Sequence, residues 1–141
     1  MVLHGVSAGA GSAALHLTAY EGRDDNLFVG VASESMFIPT HPRVEDLHWQ
    51  FNETLARVGC DDAEEPMECL RGKSKSRLQN VANLPQPYAN QTEAPRFYWT
   101  PCVDGDLIWD YPSVMFNSGK FIKVPMLMGT STDGKIPLPF S

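Results

Sequence analysis

Several features are scarce or missing in these 141 residues, and each absence closes off a class of protein. No apolar run approaches the roughly 20 residues that a membrane-spanning helix needs, so no transmembrane segment is expected. Basic residues are in the minority: 11 Lys and Arg stand against 17 Asp and Glu, for a net charge of −6. That balance argues against nonspecific nucleic-acid binding, which draws on clustered cations to neutralise phosphates. Met1-Val2-Leu3 is followed at once by His4 and then by small residues, so no signal peptide is expected at this start. There is no internal repeat. No CxxC pair or neighbouring His pair completes a four-ligand set, so no zinc site is expected. No other cofactor is expected either.

What remains is an ordinary globular composition, 43% apolar and 20% charged, which excludes disorder over the whole length. The three cysteines are Cys60, Cys69 and Cys102. Cys60 and Cys69 bracket the acidic stretch Asp61-Asp62-Ala63-Glu64-Glu65-Pro66-Met67-Glu68. A short disulfide loop fits there, and a cytosolic chain with three free thiols is the alternative. Two N-glycosylation sequons, Asn52-Glu53-Thr54 and Asn90-Gln91-Thr92, lean with the cysteine pair towards an oxidising, secretory setting.

Along the chain, Val2-Leu3-His4 reads as the end of a strand, and the small residues from Ala8 to about Tyr20 suit a helix. Phe28 to Ser33 is a short apolar run with β-branched residues, a buried strand by length and flanks. Val44, Leu47, Trp49, Phe51, Leu55 and Val58 recur at near-helical spacing and predict an amphipathic helix ending at Gly59. Shorter helices are expected around Glu64–Arg71 and Ser74–Ala82, a loop over 83–95, a turn at Asp104-Gly105-Asp106, a short helix at Val114–Phe116, and a second buried strand at Val124–Gly129. The basic residues Arg71, Lys73, Lys75 and Arg77 form a solvated helix face in this reading. Strands alternating with helices predict an α/β fold rather than a bundle or a sandwich.

Gly5-Val6-Ser7-Ala8-Gly9 is a G-x-S-x-G pentapeptide at a strand end, opening a run of small, helix-compatible residues. That is the setting of a nucleophile elbow, a strained strand-to-helix turn that exposes a serine hydroxyl. The glycines two before and two after the serine lack Cβ atoms, so strand and helix can approach closely. The Ala8 N–H can then point at a developing oxyanion. In the competing reading, Ser7 merely caps the helix.

In order along the chain, several stretches resemble the type B carboxylesterases, the α/β-hydrolase group that includes cholinesterases and the fungal lipases and esterases. His4-Gly5-Val6-Ser7-Ala8-Gly9-Ala10-Gly11-Ser12 is similar to the family's elbow, usually GESAGA, with Val6 in place of Glu. Phe28 to Ser35 is similar to the strand that follows, often ending S-E-S-G, with Met36 departing from the glycine. Gly59-Cys60 with Cys69-Leu70-Arg71 resembles the family's small disulfide loop and so implies a Cys60–Cys69 bond. Val103-Asp104-Gly105-Asp106, Pro112, Gly119-Lys120, Val124-Pro125 and Gly129-Thr130 follow the family's approach to its acidic residue.

The resemblance implies Ser7 as nucleophile, Ala8 as an oxyanion-hole donor through its N–H, and Ser35 as a hydroxyl near the triad acid. A plain strand-end serine is the other reading of Ser35. It further implies one partial α/β-hydrolase domain over residues 1–141, with a mostly parallel sheet, flanking helices and an incomplete fold. A small-molecule or lipid ester would be the substrate, and the full-length parent would be secreted.

Two departures stand against activity. The family acid lies in D-E-G, whereas this chain reads Thr132-Asp133-Gly134-Lys135, leaving Asp133 as the substitute acid. The triad order is Ser, acid, His, but the histidines are His4, His16, His41 and His48, all upstream of Asp133. The glycine-rich oxyanion loop that should precede the elbow is also absent. The chain as written is therefore expected to be an inactive piece of a serine ester hydrolase. The alternatives are a catalytically dead cholinesterase-like binding module and a truncated gene-model fragment.

Overall fold

A computed structural model describes residues 1–82 and 99–132. The described residues belong to two compact units, one drawn from Met1–His41 and Cys102–Ser141, the other from Pro42–Pro101.

The first unit is built on a parallel three-stranded sheet. Its strands are β1 (Val2–Val6), β2 (Gly30–Glu34) and β3 (Met126–Gly129), in the order β1-β2-β3. The register sets Leu3 opposite Val31 and His4 opposite Ala32, then Val31 opposite Met126 and Ala32 opposite Leu127. Side chains alternate between faces along a strand, so Leu3 and Val31 share one face and His4, Ala32 and Leu127 share the other. The first face carries the core: Val31 packs with Ala13, Leu17, Phe28 and Ile122, and Leu3, Phe116, Phe121 and Val124 close around them.

Helix α1 (Ala8–Gly22) supplies Ala13 and Leu17 to that core. Ala10, Gly11, Ala13 and Ala14 are all buried, which lets the helix lie close to the sheet. Its regular part ends at Thr18: Ala19 is extended, and Tyr20, Glu21 and Gly22 take positive φ. A Cβ at Gly22 would stand 2.5 Å from the Phe121 nitrogen, so this turn needs glycine both for its φ of +80° and for the close approach. The short helix Pro112–Asn117 opens on its proline and is followed by Gly119 at φ +76°.

The second unit is helical. A single 3-10 turn at Val44–Leu47 leads into α2 (His48–Val58), so the amphipathic segment begins one turn later as an α-helix than its periodicity predicts. Gly59 ends it at φ +70°, and the Cys60 N–H reaches back to the Leu55 carbonyl at 2.8 Å. Helices α3 (Pro66–Arg71) and α4 (Lys75–Ala82) follow. Leu55, Val58, Cys60 and Val81 form the core, flanked by Cys69, Leu70 and Leu78. Cys60 and Cys69 are disulfide-bonded across a Cα separation of 5.8 Å, while Cys102 is a free thiol.

The basic block is used locally. Arg71 pairs with Glu68 at 2.5 Å, and Lys73 and Arg77 donate to the Gly59 and Arg57 carbonyls at 3.2 and 3.0 Å. Lys73 and Arg77 sit where the end of α2 leaves carbonyls without intrahelical partners and carries partial negative charge. Among the described residues, no helix is long and apolar enough to cross a membrane.

Candidate active site

Ser7 occupies the single residue between β1 and α1. Its backbone sits at φ +56° and ψ −118°, a conformation that costs a non-glycine residue about 1–3 kcal/mol. Three backbone hydrogen bonds hold it there. The Ser7 N–H donates to the Glu34 carbonyl at 2.9 Å, and the Ser7 carbonyl accepts from Gly11 N–H at 3.1 Å and from Phe37 N–H at 3.2 Å. At about 1 kcal/mol net each, they are of the right size to offset the strain.

The hydroxyl takes no part in this. It makes no capping bond to the helix, which removes the reading of Ser7 as a mere helix cap, and the residue is exposed. Ala8 is the first residue of α1, where an N–H has no intrahelical acceptor.

The glycines of the pentapeptide differ in what they do. A Cβ at Gly5 would stand 2.3 Å from the Gly9 carbonyl carbon, so Gly5 is required for strand and helix to meet. A Cβ at Gly9 would meet nothing within 4 Å among the described residues. The close approach thus rests on Gly5, not on both glycines as the motif suggests. Gly11 is the second tight point: its Cβ would lie 2.1 Å from the Phe37 carbonyl oxygen.

Because the strands are parallel, the residues that follow them gather at one edge of the sheet, the carboxyl ends where open α/β sheets bind ligands. Ser35 follows β2 at φ +48°, with its N–H donating to the Gly129 carbonyl at 2.8 Å. Its hydroxyl oxygen lies 3.4 Å from the Ser131 hydroxyl and accepts the Ser131 N–H at 3.3 Å. Ser131 was not singled out from the sequence. A serine two residues past a strand carries no local signal, and only the pairing across 96 positions reveals it. Asp133 lies outside the described residues, as does Asn90.

None of the four histidines is hydrogen-bonded to the Ser7 hydroxyl among the described residues. His4 is exposed on β1 and lines a shallow groove of about 320 Å³ with Ala32, Glu34, Leu127 and Thr130. His16 on α1 and His48 at the start of α2 are exposed. His41 is different: it is 4% exposed, and its Nε2 is buried without a hydrogen-bond partner.

Burial holds the His41 pKa below the usual histidine value, with a hydrogen bond to the Pro39 carbonyl partly opposing the shift. The unfolded chain therefore binds the proton more readily than the folded one. Stability contributed by neutral His41 is complete above the unfolded pKa of about 6.5, and it falls as pH drops below that value towards the lower folded pKa. Denaturant melts between about pH 7 and pH 5 are expected to show stability decreasing with acidity, with a smaller decrease in His41→Leu. An unchanged slope in that variant would remove His41 from the account.

A carboxylesterase family profile matches residues 1–138. The chain belongs to the carboxylesterase family. It is 40% identical to Aspergillus niger EstA, whose crystal structure superposes with a TM-score of 0.78 over 89% of this chain and 24% of that one. The resemblance to an α/β-hydrolase sheet with flanking helices holds in three dimensions. Neuroligin-2 of Rattus norvegicus is 29% identical over 88% of this chain and 14% of its own length. A secreted triacylglycerol lipase of Gibberella zeae is 27% identical over 94% of this chain and 24% of its own length. The chain thus spans about a quarter or less of the length of these relatives.

Proposed function

We propose that this carboxylesterase-family chain carries the nucleophile of a carboxylic-ester hydrolase, that Ser7 is that nucleophile, and that both units belong to one such domain. The observation supporting this most directly is the uncommitted, exposed Ser7 hydroxyl on a left-handed turn between a parallel strand and a helix. In the reaction, the Ser7 oxygen attacks the ester carbonyl and gives its proton to a base. The Ala8 N–H stabilises the oxyanion, the alcohol leaves, and water hydrolyses the acyl-serine. Ser35 is assigned to the acid side of the reaction by family resemblance, and Asp133, by its place in the sequence, to the role of substitute for the family glutamate. Small or lipid esters are the substrate class, and the likeness to the secreted triacylglycerol lipase of Gibberella zeae supports a secreted parent.

The base is what these 141 residues do not supply. Loss of a triad histidine lowers turnover on the order of 10⁶-fold, so the 141-residue chain alone is expected to leave a short-chain p-nitrophenyl ester at its background rate. In the protein isolated from its source, a phosphonofluoridate is expected to form an Oγ–P bond at Ser7 and release fluoride. Both labelling and ester turnover should vanish in Ser7→Ala. Turnover surviving Ser7→Ala would overturn the assignment of the nucleophile. Turnover by the isolated chain that Ser7→Ala abolishes would overturn its inactivity.

A further inference from the structure

The second unit carries a feature that ester hydrolysis does not use. Asn52-Glu53-Thr54 lies within α2, and Asn52 is exposed, away from the buried Gln50, Leu55 and Val58. The same unit contains the Cys60–Cys69 disulfide, a bond that forms and persists in oxidising compartments, where oligosaccharyl transfer also takes place. Asn52 therefore has an acceptor sequon, an oxidised neighbourhood and a solvent-facing position.

We infer that Asn52 is an N-glycosylation site. The co-reactant is a lipid-pyrophosphate-linked oligosaccharide. A bond forms between Asn52 Nδ2 and the anomeric carbon, and the bond from that carbon to the pyrophosphate oxygen breaks. The lipid pyrophosphate leaves with the electron pair, and the amide nitrogen loses one proton. In the folded helix the Thr54 hydroxyl donates to the Gln50 carbonyl at 2.8 Å, so the transfer precedes folding of α2, while the Thr54 hydroxyl is still available. Once α2 forms, the glycan projects into solvent from the exposed Asn52.

The test is a peptide map of the protein isolated from its source. The Asn52 peptide is expected only after amidase treatment in heavy-oxygen water, with Asn52 recovered as labelled Asp. In the same host, Thr54→Ser should keep the glycan and Thr54→Ala should lose it. Recovery of unmodified Asn52 peptide, or a glycan confined to Asn90, would overturn the site. None of these readouts depends on ester hydrolysis.

Discussion

Gly5→Ala and Gly11→Ala are each expected to destabilise the first unit by about 3 kcal/mol or more, whereas Gly9→Ala in the same motif is expected to stabilise it by about 0.5–1 kcal/mol. The contrast follows from what each new methyl group meets. At Gly5 it lands 2.3 Å from the Gly9 carbonyl carbon and 2.6 Å from the Ala10 nitrogen. At Gly11 it lands 2.1 Å from the Phe37 carbonyl oxygen. These are backbone atoms, so no side chain can swing aside. Relief requires β1 to separate from α1, or the segment after β2 to move off the helix.

Either movement breaks the hydrogen bonds that hold Ser7, since its carbonyl is bonded to both Gly11 and Phe37. At Gly9 the methyl meets open space, and only the helix preference of alanine over glycine is felt. Denaturant unfolding of the three variants is the measurement. Against total stabilities of about 5–15 kcal/mol for natural domains, a loss of this size is readily resolved. Equal effects at Gly5 and Gly9 would show that the motif glycines are interchangeable and would refute the contact geometry.

Replacing both Cys60 and Cys69 by alanine is expected to cost about 2–4 kcal/mol, and the loss should fall on the second unit alone. Two effects add. The cross-link closes a loop between residues nine apart and restricts the unfolded chain. Cys60 is also only 1% exposed, packed with Leu55, Val58 and Val81, so truncation opens space in a small core. The closed loop contains Asp61, Asp62, Glu64, Glu65 and Glu68. Without the bond, mutual repulsion among these carboxylates favours its expansion, and added salt should restore part of the loss.

Amide exchange separates the units. The Cys60 amide, bonded to the Leu55 carbonyl, should lose protection, and the Ile122 amide, bonded to the Leu17 carbonyl, should keep it. Equal loss at both amides would show that the two units unfold as one.

Much of this was legible in the chain because the signals are local. The helix beginning at Ala8, the αL glycine at Gly59 and the buried strand around Val31 each declare themselves within a few residues. The strand-turn-helix setting of Ser7 is of the same kind. The second strand, expected to be buried at Val124–Gly129, forms over Met126–Gly129 but is exposed throughout, with Leu127 75% exposed, because among the described residues it lies at the sheet edge. The basic block from Arg71 to Arg77 reads as a solvated helix face; it runs instead from the end of α3 through a bend at Lys73 into α4, and its sequence does not show which carbonyls Lys73 and Arg77 reach. Three features around the site were not legible. Gly11 looks like one more small residue until the Phe37 carbonyl is placed against it. Ser131 acquires meaning only beside Ser35. His41 resembles the other histidines until its burial is known.

By itself, the sequence determined the fold class, the order of the elements and the strand-turn-helix setting of Ser7. Periodicity, glycine placement and the pentapeptide all act over fewer than about ten residues, well within a single element. The tertiary structure decided which glycine is indispensable, that the Ser7 hydroxyl is not spent on capping, and which side chains meet at the carboxyl ends of the strands. Those outcomes depend on contacts between atoms far apart in the chain and packed at near-crystalline density, where a single methyl group or hydroxyl has one set of neighbours that no local pattern encodes.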